Sequence, residues 1–176
     1  EAELFFMPIL ETARGVLNAL AIAEASPRNV ALTLGLEDLT ADLGVVKTPG
    51  GAETAWASSQ VIYAAKAAGL QAIDSVYGNV ADEEGLRQSV RFAKSIGFEG
   101  KGCVHPRQIT IIHQEFAPSE EEVTKARAIV EAFNEARAKG LGVVSLGSKM
   151  IDPPVVKRAQ SLMRLADEMQ SVEEND

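Results

Sequence analysis

The chain carries acidic side chains at positions where parallel α/β proteins place their chemistry. Glu11, Asp38 and Asp74 each come just after a short apolar run, and His105 follows a fourth run. The carboxyl ends of parallel strands meet at one edge of a sheet, and ligands bind there. Neighbouring strands lie about 4.8 Å apart, so carboxylates on successive strand ends can share one hard cation. The spacing therefore predicts a Mg²⁺ site at Glu11 and Asp38, with water and substrate oxygens as its other ligands.

Helix capping is the alternative explanation for these acids. Glu11 could cap the helix that it opens, and Asp38 or Asp42 could cap the short helix that follows the second run, because carboxylates stabilise helix N-termini. The same alternative holds for Asp152, which directly precedes a proline at the start of the last predicted helix. On spacing alone, metal binding and helix capping both remain open.

The elements that would position these residues are apolar runs that alternate with helical segments. The runs predict four strands, over residues 4–10, 30–34, 70–73 and 98–104. The segments between them have helical spacing, and two of them end at glycine. Strands that are apolar throughout and separated by helices indicate βαβ units with a parallel sheet buried on both faces. The predicted fold class is therefore α/β.

The pattern changes after the fourth strand, which predicts two domains. Residues 1–116 would contain the βα units, and residues 117–176 would be mostly helical. Ser119 and Glu122 are spaced as a capping box that opens a long helix. Two further elements are predicted after it: an extended pair around Gly147, and an amphipathic helix from Pro153 to about Met169. Four βα units are half of an eight-stranded barrel, so the barrel is expected to be incomplete.

Composition and charge exclude several classes of protein. The formal net charge of −8 disfavours nucleic acid and anionic membranes as partners, because binding to phosphates needs clustered Lys and Arg. No apolar run approaches the roughly 20 residues that cross a bilayer. The single cysteine, Cys103, cannot form an internal disulfide and is expected to be a small buried hydrophobe in the fourth strand. These features predict a cytoplasmic protein.

Five segments form an ordered set of motifs that covers essentially the whole chain. They are Pro-Ile-Leu-Glu-Thr-Ala-Arg-Gly at 8–15, Gly-Leu-Glu-Asp-Leu-Thr-Ala-Asp-Leu-Gly at 35–44, Ala-Ile-Asp at 72–74 with Gly-Asn at 78–79, Gly-Lys-Gly-Cys-Val-His-Pro-Arg-Gln-Ile at 100–109, and Lys-Met-Ile-Asp-Pro-Pro at 149–154. Together they resemble the citrate lyase β-subunit family, part of the HpcH/HpaI aldolase superfamily. This family also includes malyl-CoA, methylmalyl-CoA and citramalyl-CoA lyases.

The resemblance implies the C-terminal half of a (β/α)₈ TIM barrel, followed by a helical C-terminal lid. It also implies that Glu11 and Asp38 bind Mg²⁺ and that an α-keto acid chelates this ion. The backbone amides of Gly35, Leu36 and Glu37 would then hold the carboxylate of that keto acid.

The role of Asp152 follows from the same resemblance, whereas Arg14 and Asp74 are candidates from their positions in the sequence. Asp152 matches an aspartate of the lid that acts as the acid-base group, often in the site of a neighbouring subunit. A homo-oligomer, a trimer or a hexamer, is therefore expected. Arg14 could pair with Glu11 or with a substrate carboxylate, and Asp74 is a candidate for substrate binding. For Asp74 and His105 an ordinary loop or capping role is the alternative, because a lone polar group after a strand more often has such a role.

The implied function is a Mg-dependent carbon–carbon lyase that cleaves a β-hydroxyacyl thioester to an acyl thioester and an α-keto acid. The substrate would be of the citryl, malyl or citramalyl type, carried by CoA or an acyl carrier protein. Thioester hydrolysis at the same site is one alternative. A class II aldolase or a phosphoenolpyruvate-handling enzyme is a weaker one, which the signature at 149–154 disfavours.

A departure from the family pattern supports one more alternative. The family's segments that look like Arg-Ser-x-Leu-Phe-Val-Pro-Gly and Asp-Leu-Glu-Asp have no counterpart in this chain, and the arginine expected to bind the substrate lies in them. We therefore also consider a half-barrel that is inactive alone and needs a partner chain, because open sheet edges are unstable in isolation.

Overall fold

The computed structural model describes residues 3–48, 50–140, 144–146 and 149–173. The chain divides into two compact units, Glu1–Phe116 and Ala117–Asp176, and each is described by itself. Whether these units are independent domains stays a prediction.

The first unit contains a four-stranded parallel sheet. Its strands are β1 (Ile9–Leu10), β2 (Ala31–Leu34), β3 (Gln71–Asp74) and β4 (Gly100–Lys101), hydrogen-bonded in the order β1-β2-β3-β4. This arrangement confirms the predicted α/β class. The first and last strands are shorter than predicted, because before β1 only Phe6 makes an isolated bridge, to Asn29, and β4 ends at Lys101.

Six helices of the first unit connect and follow these strands. They are α1 (Ala13–Leu17), α2 (Ala19–Ala23), α3 (Leu36–Leu43), α4 (Ala55–Ala67), α5 (Glu83–Ile96) and α6 (Arg107–Phe116). Two helix starts have side-chain caps, Thr12 at α1 and Asp82 at α5. A hydrogen bond from the Tyr77 hydroxyl lowers the pKa of Asp82 and raises the pKa of Tyr77.

Side chains along the strands alternate between two faces of the sheet. Leu10, Leu34 and Ala72 are buried against the helices, whereas Ile9 is 59% exposed on the other face. Because Glu11 follows Leu10, it lies on the face of Ile9. Asp74 is two residues after Ala72 in the same strand, so it lies on the same face of the sheet as Ala72, toward the helices.

Three charged residues connect α5 with α6. Arg91 Nε donates to Glu115 Oε2 at 2.7 Å, and Arg87 Nη1 donates to Glu115 Oε1 at 2.9 Å. The hydrogen bond from Arg91 is the main cause that lowers the pKa of Glu115 below its ordinary value of 4.5, and Arg87 adds to it.

This depressed pKa predicts a pH dependence of stability. Near pH 4.5 the unfolded chain binds more protons at Glu115 than the folded chain does. The ionised Glu115 therefore stabilises the fold fully above that pH, and this stabilisation is lost as the pH falls through the pKa of Glu115 in the folded state. Glu115→Gln should therefore lower the free energy of unfolding at about pH 6, and this deficit should shrink toward about pH 2. Urea unfolding of both proteins across this range checks it. A deficit that is constant with pH would contradict the prediction.

The described residues of the second unit form two helices and a pair of antiparallel strands. Its elements are α7 (Glu120–Ala138), β5 (Val144–Leu146), β6 (Lys149–Ile151) and α8 (Pro153–Glu173). The capping box of Ser119 and Glu122 is confirmed at α7, and β5 and β6 pair antiparallel. The helix α8 continues past the predicted end at Met169, and the predicted turn at Gly147 lies outside the described residues. No described helix, α8 included, is long and apolar enough to cross a membrane.

Candidate metal site at the carboxyl ends of the strands

Glu11 reaches across from β1 to the start of α3. Leu10 pairs with Leu34, so Glu11 and Gly35 are the next residues in register. A methyl group added at Gly35 would lie 2.5 Å from Cγ and 2.7 Å from Oε1 of Glu11. The φ of Gly35 is −104°, a value that any residue can adopt, so glycine is needed here for space and not for its backbone freedom. The bare glycine therefore lets the Glu11 carboxylate lie at the N-cap of α3.

Asp38 lies in the first turn of α3, three residues after Gly35. Within the described residues, neither the Glu11 nor the Asp38 carboxylate has a hydrogen bond or an ion pair. Neighbouring acids are in contrast occupied. Glu37 Oε1 lies 2.6 Å from Lys47 Nζ, and Asp74 Oδ2 lies 2.5 Å from Lys101 Nζ. The two acids predicted as metal ligands are thus the ones whose oxygens are available.

The capping alternative is wrong for two of the acids: Glu11 does not cap α1, and Asp42 does not cap α3. Thr12 caps α1, because its Oγ1 accepts from Gly15 N–H at 3.0 Å. Asp42 Oδ2 accepts from Ala13 N–H at 2.7 Å, so this carboxylate of α3 binds the first residue of α1. The N-cap of α3 is Gly35, and it makes no side-chain cap bond.

The donor set fits a magnesium ion. Mg²⁺ binds through one or two carboxylates and keeps water or substrate oxygens in its other positions. Glu11 and Asp38 provide two such carboxylates at one strand edge. In the part of the chain that the structure describes, no group of three or more His, Cys, Asp or Glu side chains could hold a metal by itself. Such a pair therefore depends on water or substrate to complete the coordination.

The three amides predicted to hold a substrate carboxylate differ in availability. Gly35 N–H donates to the Leu10 carbonyl at 3.0 Å, and Leu36 N–H donates to Ser75 Oγ at 3.1 Å. For the Glu37 N–H, the described residues provide no acceptor. Of these three amides, only that of Glu37 is thus without an acceptor among the described residues, and the role of the three amides in substrate binding stays a prediction.

Asp74 lies in a different environment from Glu11. With its partner Lys101 it lines an open pocket of about 680 Å³, walled by α4, α5, the segments that follow β2 and β3, and the segment between α3 and α4. Leu36 and Glu37 also line this pocket, but Glu11 and Asp38 do not. The side chains of Lys101 and Asp74 are 3% and 11% exposed. The structure therefore brings Asp74 together with the turn at Leu36 but not with the predicted metal ligands.

Sequence reasoning missed Lys101, Ser75 and Gln108. Lys101 stands inside a motif noted above, and its partnership with Asp74 depends on the register of β3 and β4. Gln108 is 1% exposed; its Oε1 accepts from Val104 N–H at 2.9 Å and its Nε2 donates to the Tyr77 carbonyl at 2.8 Å. It thus ties the segment after β3 to the segment after β4. No local pattern signals such a role.

The remaining candidates occupy simpler positions. Arg14 is exposed on α1, and within the described residues it pairs with no carboxylate, so of its two alternatives the pair with Glu11 is not formed. His105 is exposed, and its Nδ1 accepts from Arg107 N–H at 3.1 Å. The expectation of a buried Cys103 is wrong, because Cys103 is exposed and lies beyond the end of β4. Arg14 stays a predicted substrate ligand.

Asp152 caps α8 in the second unit. Its Oδ1 accepts from Val155 N–H at 3.1 Å, and its carbonyl accepts from Val156 N–H at 3.1 Å. The capping role weighed for this residue is therefore present. Its acid-base role stays a prediction, and the second carboxylate oxygen, Oδ2, receives no hydrogen bond from the described residues.

Comparison with known proteins gives a consistent set of relatives. A family model described as HpcH/HpaI aldolase/citrate lyase matches residues 1–106. The citrate lyase subunit beta of Leuconostoc mesenteroides subsp. cremoris is 41% identical over 161 residues, which cover 92% of this chain and 53% of that protein. The mitochondrial citramalyl-CoA lyase of Mus musculus is 35% identical over 174 residues, covering 94% of this chain and 52% of that protein. The chain thus spans about half the length of the curated relatives it matches.

Solved structures are similar as well. A CitE protein from Mycobacterium tuberculosis, in complex with magnesium, acetoacetate and coenzyme A, matches with a TM-score of 0.81 at 33% identity, covering 94% of this chain and 62% of that chain. A citrate lyase beta subunit from the same organism, complexed with oxaloacetate and magnesium, matches with a TM-score of 0.60 at 34% identity, covering 66% of this chain and 54% of that chain. These neighbours have TIM-barrel-like folds, which confirms the predicted fold class.

Proposed function

Because the chain belongs to the HpcH/HpaI aldolase/citrate lyase family, we propose that it forms part of a magnesium-dependent carbon–carbon lyase. The substrate is a β-hydroxyacyl thioester of the citryl, malyl or citramalyl type, carried by CoA or an acyl carrier protein. The products are an acyl thioester and an α-keto acid. The observation that carries this proposal is the Glu11 carboxylate, which has no partner among the described residues and lies over Gly35 at the start of the helix that bears Asp38.

In this proposal Glu11 and Asp38 hold the magnesium ion. The bound ion polarises the hydroxyl or keto oxygen of the substrate. The Glu37 N–H, in the first turn of α3, orients the carboxylate of the α-keto product, because helix N-termini favour anions. Arg14 and Asp74 are further proposed contacts to the substrate. Ligands named for the solved relatives, magnesium with oxaloacetate and with coenzyme A, support this assignment.

Cleavage requires that a proton moves at each end of the broken bond. The β-hydroxyl gives its proton to a water molecule and becomes the keto group, and the electron pair of the Cα–Cβ bond remains on Cα as a thioester enolate. That enolate then takes up a proton. We assign this second transfer to Asp152, whose Oδ2 is not used by the cap of α8 among the described residues. The proposal places Asp152 in the site of a neighbouring copy within a cytoplasmic trimer or hexamer.

Two conservative substitutions test the metal site in the complete enzyme. Glu11→Gln and Asp38→Asn keep an oxygen ligand but remove its charge, so each should weaken Mg²⁺ binding at least about tenfold, the loss known for outer-shell partners. Isothermal titration measures the affinity, and product analysis measures α-keto acid formed together with acyl thioester. Release of free hydroxy acid in place of these products would favour the hydrolase alternative.

The matched control is Asp42→Asn on the same helix. The amide oxygen of the new asparagine can still accept from Ala13 N–H, and Asp42 is not a proposed ligand. This variant should bind Mg²⁺ like the unmodified protein. If Glu11→Gln and Asp38→Asn bind the metal as tightly as this control does, the proposed metal site is wrong.

A further inference from the structure

We propose that Ser75, at the end of β3, is a positioning residue for the metal site: its hydroxyl holds the first turn of α3 and thereby sets Asp38 relative to Glu11. The inference rests on the proposed function, because it assumes that these two carboxylates bind Mg²⁺. It assigns no catalytic step to Ser75. Ser75 acts through Leu36, which is 39 positions earlier in the chain.

The contact that carries the inference is a cap supplied from outside the helix. The first N–H groups of an α-helix have no partner within the helix and are usually capped by the residue before it. Gly35 has no side chain for this purpose, and no cap bond comes from it. Ser75 Oγ accepts from Leu36 N–H at 3.1 Å instead, and Ser75 is only 4% exposed. A buried hydroxyl of the neighbouring strand thus replaces the cap that α3 lacks.

Ser75 is itself held firmly. Asp74, directly before it, forms the ion pair with Lys101 and accepts from Gly102 N–H through its carbonyl at 3.0 Å. On the other side, Gly35 N–H donates to the Leu10 carbonyl of β1 at 3.0 Å. The turn between β2 and α3 is therefore held from both neighbouring strands, by β1 through Gly35 and by β3 through Leu36. Asp38 lies two residues beyond the second of these contacts.

Other contacts of α3 do not replace the bond to Ser75. Asp42 connects the last turn of the helix with α1 through Ala13 N–H. Thr40 Oγ1 donates to the carbonyls of Leu36 and Glu37 at 2.8 and 3.0 Å, but these bonds lie within the helix. Glu37 in the first turn pairs with Lys47 through its side chain, and Gly35 is held by the Leu10 carbonyl. Loss of the Ser75 hydroxyl would therefore leave α3 anchored at Gly35 and at its far end, but would remove the contact that fixes the backbone of Leu36, two residues before Asp38.

The test uses Ser75→Ala and Ser75→Cys in the complete protein. Alanine removes the acceptor, and cysteine keeps a side chain of similar shape with a much weaker acceptor. Both should weaken Mg²⁺ binding about tenfold by isothermal titration. With Mn²⁺ in place of Mg²⁺, the electron paramagnetic resonance spectrum of the bound ion should also change, since the ligand arrangement changes. That spectrum would not respond to a general loss of stability.

Asp82→Ala is the matched control. Asp82 Oδ1 accepts from Gly85 N–H at the start of α5, so this variant also deprives a helix start of its acceptor, but on a helix that bears no proposed ligand. It should lose stability and keep both the metal affinity and the Mn²⁺ spectrum.

The outcomes separate this inference from the proposed function. If Ser75→Cys binds Mg²⁺ and Mn²⁺ like the unmodified protein while Glu11→Gln does not, Ser75 has no positioning role and the metal site stands. If Glu11→Gln also binds normally, the proposed function itself fails. Equal losses of Mg²⁺ affinity in Ser75→Cys and Asp82→Ala would show a general effect of stability and would likewise overturn the inference. Because the thiol fills the space that alanine leaves empty, Ser75→Cys decides the question even if Ser75→Ala does not fold.

Discussion

Replacing Gly35 with alanine is expected to weaken Mg²⁺ binding about 100-fold while the chain stays folded. The new methyl group would lie 2.5 Å from Cγ of Glu11, closer than non-bonded carbon atoms approach, so the glutamate must leave its position. The backbone can accept alanine, because Gly35 has a φ of −104°. The effect should exceed that of Glu11→Gln, since glutamine keeps an oxygen in place whereas the added methyl group displaces the whole Glu11 side chain. Isothermal titration with Mg²⁺ measures the loss.

Gly50→Ala provides the control for this substitution. A methyl group added at Gly50 meets no atom within 4 Å, and Gly50 is not among the glycines with positive φ. The Mg²⁺ affinity of Gly50→Ala should therefore equal that of the unmodified protein. The double variant Gly35→Ala with Glu11→Gln adds a second check, because two changes that act through one side chain are not additive. If the double variant loses affinity by the product of the two single effects, Gly35 does not act through Glu11.

The sheet and the two acids at its edge were predictable because both follow local rules. A buried parallel strand needs a continuous apolar run, and the residue after the run must lie at the edge where ligands bind. Strand lengths were not predictable in the same way. The run at 4–10 contains only two strand residues, because a continuous ladder needs hydrogen-bonded neighbours and not merely apolar side chains: Phe6 makes an isolated bridge, and Pro8 has no N–H to donate. Cys103 was misplaced for the same reason, since β4 ends before it.

The contacts that hold the site depend on distant parts of the chain. Ser75 meets Leu36 across 39 positions, and Lys101 meets Asp74 across 27. Each pairing follows from the register of adjacent strands, which a periodic pattern does not reveal. Gly35 illustrates the same limit within a recognised motif. Its place in the sequence was visible, but the reason for a glycine is the Glu11 side chain of the neighbouring strand.

Lys101→Ala should destabilise the fold by about 3–5 kcal/mol, because removing one partner leaves the other charge buried and unpaired. The side chains of Lys101 and Asp74 are 3% and 11% exposed, so the intact pair is largely withdrawn from solvent. Urea unfolding measures the change. The surface pair of Lys66 and Glu99 is the control: its N–O distance is a similar 2.6 Å, but its side chains are 47% and 42% exposed. Lys66→Ala should cost less than about 1 kcal/mol.

A double substitution separates the ion pair from the volume it fills. Lys101→Met with Asp74→Leu removes both charges and keeps apolar side chains of comparable size, so its free energy of unfolding should lie much closer to that of the unmodified protein than to that of Lys101→Ala. If Lys101→Ala costs no more than Lys66→Ala, Asp74 must gain water or another partner, and the pair does not hold the ends of β3 and β4. The double variant should also keep the Ser75 hydroxyl on Leu36 N–H, because the backbone of β3 still pairs with β4 through Gly102 N–H. The double variant should therefore recover most of the lost stability and keep the metal affinity of the unmodified protein.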